Sequence, residues 1–280
     1  MHAFVLGGSK NIGYFSALRL LQQGTTVTFL LRSTSVFDSD EHIQPFVRNG
    51  KAQLVHGDAL NHDDVRNAWE AAIQAGGGKV DVVIFTIGGK PSFSMSRGFF
   101  LDPPDLCTRS LINVLSTLPD ALRAPDTQPH FVIITSMGIT AESHSSVPLA
   151  LKPLYSSVLP AAHADKLCME RILAYLAGLS WSSKDTPRQE ILPRGWQSTP
   201  GLLGEGELKH VVIMRPALLT DGECRGDEAG KPGKAPYRSK KDGNLSSGYR
   251  VSRKDVAHFV VQEVLPHWSE WEGFGVVLAY

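Results

Sequence analysis

The chain has little that points toward a membrane, a metal or a polyanion. Its three cysteines, Cys107, Cys168 and Cys224, are scattered and odd in number. No disulfide framework and no metal-ligand spacing can be drawn from them, and a reducing, cytoplasmic setting is expected. No apolar run approaches the roughly 18 residues of a membrane helix. The apolar stretch His2–Leu6 is too short, and lacks the basic flank, for a secretory signal. Twenty-eight lysines and arginines balance twenty-eight aspartates and glutamates, which removes the global electrostatic case for a nucleic-acid partner. H-E-x-x-H, paired C-x-x-C and G-x-S-x-G are all missing, so zinc-peptidase, dithiol and nucleophile-elbow chemistry have no sequence support. No metal is expected; a small-molecule substrate is.

What is present is a rhythm. Short apolar runs at Ala3–Leu6, Thr26–Leu31, Gln53–Val55, Val80–Thr86, His130–Thr135 and His210–Met214 read as fully buried strands. Helical patterns at Ile12–Gln23, Asp63–Ala75, Leu106–Leu122 and Ala161–Leu176 fall between them. This alternation predicts an α/β fold, a doubly wound parallel sheet with helices on both faces. There are no internal repeats, and residues 1–280 are read as one domain. Two polar segments rich in Gly and Pro, Ser180–Glu207 and Gly222–Ser247, read as long loops or lids that form a small substrate-binding region toward the C-terminus.

The first strand runs into "VLGGSKNIGYFSALRLLQQG", a glycine-rich turn that opens a helix. Gly7 and Gly8 permit the tight turn, and Gly13 lets the helix pack closely, as a phosphate-binding turn requires. Ser9 and Asn11 add side-chain donors, and Lys10 adds a cation beside a phosphate; Ile12 continues into the helix. The second strand ends in Arg32 and Ser33, at the place of an adenosine ribose. An acid there favours NAD, whereas Arg32 suits the 2′-phosphate of NADP. After the third strand, Asp58 and Ala59 are placed to meet the adenine. After the fourth, Thr86, Ile87, Gly88 and Gly89 let backbone approach the ribose and nicotinamide side.

These stretches, with "HGDALN", "VIITSMG", "HADKLCMERIL", "VVIMRPALLTDG" and "YRVSRKDVAHFVV", resemble the atypical short-chain dehydrogenase/reductase superfamily. The similarity is to its NmrA-like and flavin/biliverdin-reductase-like branches, and it runs from Ala3 to Val261. It implies a Rossmann-type NAD(P) domain with a cleft over the C-terminal strand ends. It places Pro216, Ala217 and Leu218 beside the nicotinamide. It also implies a catalytic Ser136 and Lys166, the lysine serving the cofactor ribose as well. The family's tyrosine, four residues before the lysine, is here Ala162. A proton donor must then come from His163, Tyr155 or His144, from solvent, or from a flavin or quinone substrate.

Three functions follow from the resemblance. The first is an NADP-dependent oxidoreductase acting on a small carbonyl, quinone or flavin-like substrate. The second is a non-catalytic NADP sensor of NmrA type. The third is an RNA-binding member, suggested by Lys10 and the lysines of Gly230–Lys241 but opposed by the neutral net charge. Monomer and dimer both stay open.

Overall fold

The computed structural model describes residues 1–96, 98–145, 157–228 and 235–280. Its strands are β1 (His2–Leu6), β2 (Thr26–Leu31), β3 (Ala52–His56), β4 (Val82–Phe85), β5 (Ser92–Ser94), β6 (Gly98–Phe100), β7 (His130–Ile134), β8 (Val211–Pro216), β9 (Leu218–Thr220), β10 (Arg238–Lys241), β11 (Arg250–Ser252) and β12 (Gly275–Ala279). The helices are α1 (Asn11–Gln22), α2 (Gln44–Arg48), α3 (His62–Ala75), α4 (Leu106–Ser116), α5 (Ala141–Ser145), α6 (Pro160–Leu176), α7 (Arg253–Phe259) and α8 (Trp268–Trp271).

Eight strands form one sheet in the order β10-β12-β8-β7-β4-β1-β2-β3. All neighbours pair in parallel except β10, which runs antiparallel to β12 at the edge. Parallel strands covered on both faces must be apolar throughout, and every residue of β1, β4 and β12 is buried. The two faces carry separate cores. On one, α3, α4 and α6 pack around Trp69, Leu111 and Ile172. On the other, α1 and α7 pack around Phe29, Leu20 and Phe259.

The doubly wound sheet agrees with the sequence reading, and the departures have local causes. The helix expected over Leu106–Leu122 stops at Ser116, where Thr117 Oγ1 donates to the Asn113 carbonyl at 2.6 Å. Pro119 cannot donate to a helix, and only a short 3-10 turn, Asp120–Leu122, follows it. The segment Gly222–Ser247, expected as loop, contains strand β10, whose four residues Arg-Ser-Lys-Lys are all exposed. Charged residues suit an edge strand but give no apolar signal to read. Ser180–Glu207, expected as a lid, carries buried Ile191, Leu192 and Leu203 and packs on the α3/α4/α6 side. From it, Asp185 Oδ1 accepts the Ala141 N–H at 2.6 Å.

Candidate active site at the strand crest

β1 and β4 are the neighbours from which the chain winds outward in both directions, and ligands of such sheets bind beyond the C-terminal strand ends at that switch point. The glycine turn sits there. Gly7 takes φ +80°, and a Cβ on it would lie 2.8 Å from the Ile87 nitrogen. A Cβ on Gly8 would lie 2.7 Å from the Phe29 ring, and one on Gly13 would be 2.7 Å from the Gly7 carbonyl oxygen. Thr86 Oγ1 donates to the Leu6 and Gly7 carbonyls at 3.0 and 3.1 Å, tying the turn to the end of β4. Asn11, read from sequence as a donor, takes φ +58°. Asparagine tolerates this left-handed region better than most side chains, so it fills the role of a mid-turn glycine.

Helix α1 starts without a capping side chain, and its first turn holds no acidic residue. By contrast Asn61 caps α3, and Ser252 caps α7. The first backbone N–H groups of α1 have no side-chain cap, as those of α6 have none, and Ser9 lies half-buried and Lys10 exposed beside them. One strand over, Arg32 is exposed. The arginines that hold a carboxylate among the described residues are Arg19, Arg66, Arg109, Arg123, Arg215 and Arg253, so Arg32 is free to meet an anion. Ser33 Oγ pairs with Ser35 Oγ at 2.7 Å. Asp58 turns its carboxylate to the Leu60 N–H at 2.9 Å, and the Ala59 carbonyl accepts from Asn113 at 2.9 Å.

A second group gathers at the ends of β7 and β8. Lys166 Nζ donates to the Thr135 carbonyl at 2.7 Å, immediately before Ser136. Ser136 is half-buried, and its hydroxyl donates to the Met137 carbonyl at 3.2 Å. Met137 N–H in turn donates to the Pro216 carbonyl at 2.9 Å, and Ala217 N–H to the Leu278 carbonyl at 2.9 Å, with Leu218 half-buried beyond. Burial lowers the Lys166 pKa from its ordinary value, against the opposing pull of Cys107, Asp165 and Glu170. His163 lies one turn before Lys166. Burial, then the nearby charges of Lys166 and His144, lower it to about 4, so it is neutral at physiological pH. Tyr155 lies outside the described residues.

Three polar residues beneath this group escaped the sequence reading or were given other partners. Among the described residues, Asp165 meets no cation on its helix face or in a loop. Instead it is fully buried and accepts the Cys107 and Thr108 N–H groups at 2.8 and 2.9 Å, capping α4 from across the fold. Glu170 holds Arg215 of β8, as an acid meeting a cation should, but in the interior. Cys107 Sγ reaches the Ile87 carbonyl at 3.4 Å, so the β4 loop and the Lys166 helix share one neighbour. The sequence signal was Asp165 and Glu170 flanking the apolar run Leu167–Met169, where an acid that is buried demands partners. Among the described residues, no cluster of His, Cys, Asp and Glu could hold a metal, and no helix is long and apolar enough to cross a membrane.

Comparison with known proteins gives the class. A family model described as NAD(P)H-binding matches residues 7–183. The reductase pytE of Aspergillus terreus is 28% identical over 202 residues, covering 71% of this chain and 67% of that protein. The oxidase pynE of Aspergillus niger is 24% identical over 272 residues, covering 90% and 84%. Among solved structures, the anaerobillin reductase ChuY of Escherichia coli O157:H7 superimposes with TM-score 0.54 at 17% identity, covering 99% of this chain and 97% of that one. A short-chain dehydrogenase of Burkholderia cenocepacia, in complex with NADP, gives TM-score 0.52 at 18% identity over 92% and 89%. The chain belongs to the NAD(P)H-binding family. Its fold is the one that the solved reductase and dehydrogenase share.

Proposed function

We propose that the chain is an NADP-preferring reductase that acts on a small carbonyl, quinone or flavin-like substrate. One observation carries the reading: an uncapped, acid-free helix start and an arginine without a carboxylate partner share a crest with Lys166, which is docked beside Ser136. In this reading the N–H groups of Gly7 to Gly13 hold the pyrophosphate, with Ser9, Lys10 and Asn11 as added donors. Arg32 and Ser33 take the 2′-phosphate, Asp58 and Ala59 border the adenine, and Thr86 to Gly89 line the ribose. Pro216, Ala217 and Leu218 flank the nicotinamide. NADP(H), when bound, supplies the hydride.

The remaining work belongs to side chains. Lys166 donates to ribose hydroxyls, and Ser136 turns its hydroxyl from the Met137 carbonyl to a substrate oxygen. His163 is neutral above about pH 4 and contributes a hydrogen bond rather than an imidazolium proton. Water supplies the proton unless Tyr155 does. Quinones and flavins suit such a site because their reduced heteroatoms take protons readily from solvent. The β5–β6 hairpin supports an apolar ring as substrate. It begins three residues after Gly89, Leu101 just beyond it packs against Gly89, and it exposes Phe93, Met95 and Phe99, with the two phenylalanine rings 5.0 Å apart. The free, buried cysteines support the reducing setting, and two cores sharing one sheet support a single unit.

The test is consumption of NADPH against a panel of quinones, flavins and carbonyls. Turnover that Lys166→Met lowers by at least about tenfold, roughly 1.4 kcal/mol of barrier, is the expected result. The sensor reading is favoured by Ala162 at the tyrosine position. Tight NADPH binding without turnover on any class would move the assignment to it.

A further inference from the structure

Glu170 is a buried carboxylate that no step above uses. It stands four residues beyond Lys166 on α6, on the same helical face, and is 1% exposed. Thr135 Oγ1 donates to its Oε1 at 2.6 Å, and Arg215 grips it through Nε at 3.0 Å and Nη2 at 2.7 Å. Thr135 faces both ways, because its carbonyl accepts the Lys166 ammonium at 2.7 Å. The chain of contacts thus runs from Arg215 through Glu170 and Thr135 to Lys166. Gly275 makes room for it, since a Cβ there would overlap the Arg215 guanidinium. Buried ion pairs are weak contributors to stability because desolvation offsets their attraction.

We propose that Glu170, clamped by Arg215 and Thr135, is a positioning residue that holds Lys166 in its charged, ribose-directed state. The inference rests on the nucleotide-binding reading above. The groups facing Lys166 are Cys107 from α4, His163, Asp165 and Glu170 from α6, and Arg215 of β8 behind Glu170. Cys107 is held as a neutral thiol by burial, and His163 is neutral. The Asp165 carboxylate is committed to two backbone donors. Glu170 is the carboxylate that accepts from the hydroxyl of Thr135, the residue whose backbone carbonyl receives the ammonium. Fixing that oxygen favours the protonated lysine, and so does the negative charge.

The experiment is the affinity of the full chain for NADPH as a function of pH, in wild type, Glu170→Gln and Lys166→Met. Wild type should lose affinity on the alkaline side as Lys166 deprotonates, and Lys166→Met should lack that limb. Glu170→Gln should move the midpoint down by about one unit, a tenfold change in the lysine's proton affinity. Added to Lys166→Met, it should cost nothing further. Should Glu170→Gln fail to fold, Glu170→Gln with Arg215→Met removes both buried charges, and Gly275→Ala displaces the guanidinium while keeping them. The double variant must shift the midpoint down, whereas Gly275→Ala, which leaves the Glu170 carboxylate with less of its counter-ion, must shift it up. Folded variants whose midpoint equals that of wild type would overturn the inference and leave the ion pair a purely structural feature. Failure of wild type to bind NADPH at all would instead overturn the nucleotide-binding reading, so the two failures are distinguishable.

Discussion

Gly13 shows how little tolerance single residues have at the crest. It lies inside α1, where alanine is the better helix former. Yet an added methyl would press into Thr86 Oγ1 and lie 2.7 Å from the Gly7 carbonyl oxygen. Gly13→Ala should therefore lower stability by about 1–3 kcal/mol, as overpacking does, and weaken nucleotide binding at the same time. Thermal unfolding and calorimetry on one sample check both, and an unchanged melting point would refute the close approach. Arg32→Ala should weaken NADPH by at least about tenfold, roughly 1.4 kcal/mol, while leaving NADH nearly untouched. A parallel loss for both nucleotides would place Arg32 elsewhere than at the 2′-phosphate. The glycines and Arg32 were legible in the sequence because their local context, a strand before and a helix after, defines their environment. Asn11's positive φ and the cap that Asp165 gives α4 were not. The first depends on the exact path of the turn, and the second joins residues 57 and 58 positions apart.

Among the elements, the β5–β6 hairpin is the one whose composition asks for a function. Large apolar side chains elsewhere are mostly buried, but here Phe93 is 60% and Met95 95% exposed. Replacing Phe93 and Phe99 by alanine should raise KM for an apolar ring substrate several-fold and leave NADPH affinity unchanged. An equal loss of nucleotide affinity would tie the hairpin to the cofactor instead. The sequence reading found the six strands of the parallel core lying before residue 217 and the four long helices, because each buries a continuous or periodic apolar surface. It passed over β12, whose five apolar residues are all buried, as well as the hairpin and the β10 edge strand. Strands of three or four residues have too few positions for a pattern, and β10 buries nothing.

At the scale of the whole molecule, the edge opposite the crest makes the fold acid-sensitive. His2 opens β1, is 2% exposed, and meets Thr26 Oγ1 at 2.7 Å and Thr28 Oγ1 at 3.0 Å. Burial lowers it from 6.5 to about 4, and burial also lowers His130, which stacks on Trp268. The unfolded chain then binds protons more readily than the folded one. Stability is full above the ordinary value of 6.5 and falls as pH drops toward 4, by at most about 1.4 kcal/mol per pH unit from His2. Urea midpoints measured across that window should decline in wild type and decline less steeply in His2→Gln. A flat profile in wild type would contradict the buried neutral histidine. The doubly wound plan was legible from the alternation of elements, and so was the glycine turn at its crest. The interior ties that join the two ends of that crest were not, since they connect polar residues far apart in sequence.

The central claim is that this crest takes NADP(H) and prefers it. Calorimetric titration of the chain with NADPH and, separately, with NADH tests it most directly. The account predicts micromolar NADPH binding, with NADH weaker by at least about tenfold, or 1.4 kcal/mol. Equal affinities would contradict the role of Arg32, and binding of neither nucleotide would contradict the account as a whole.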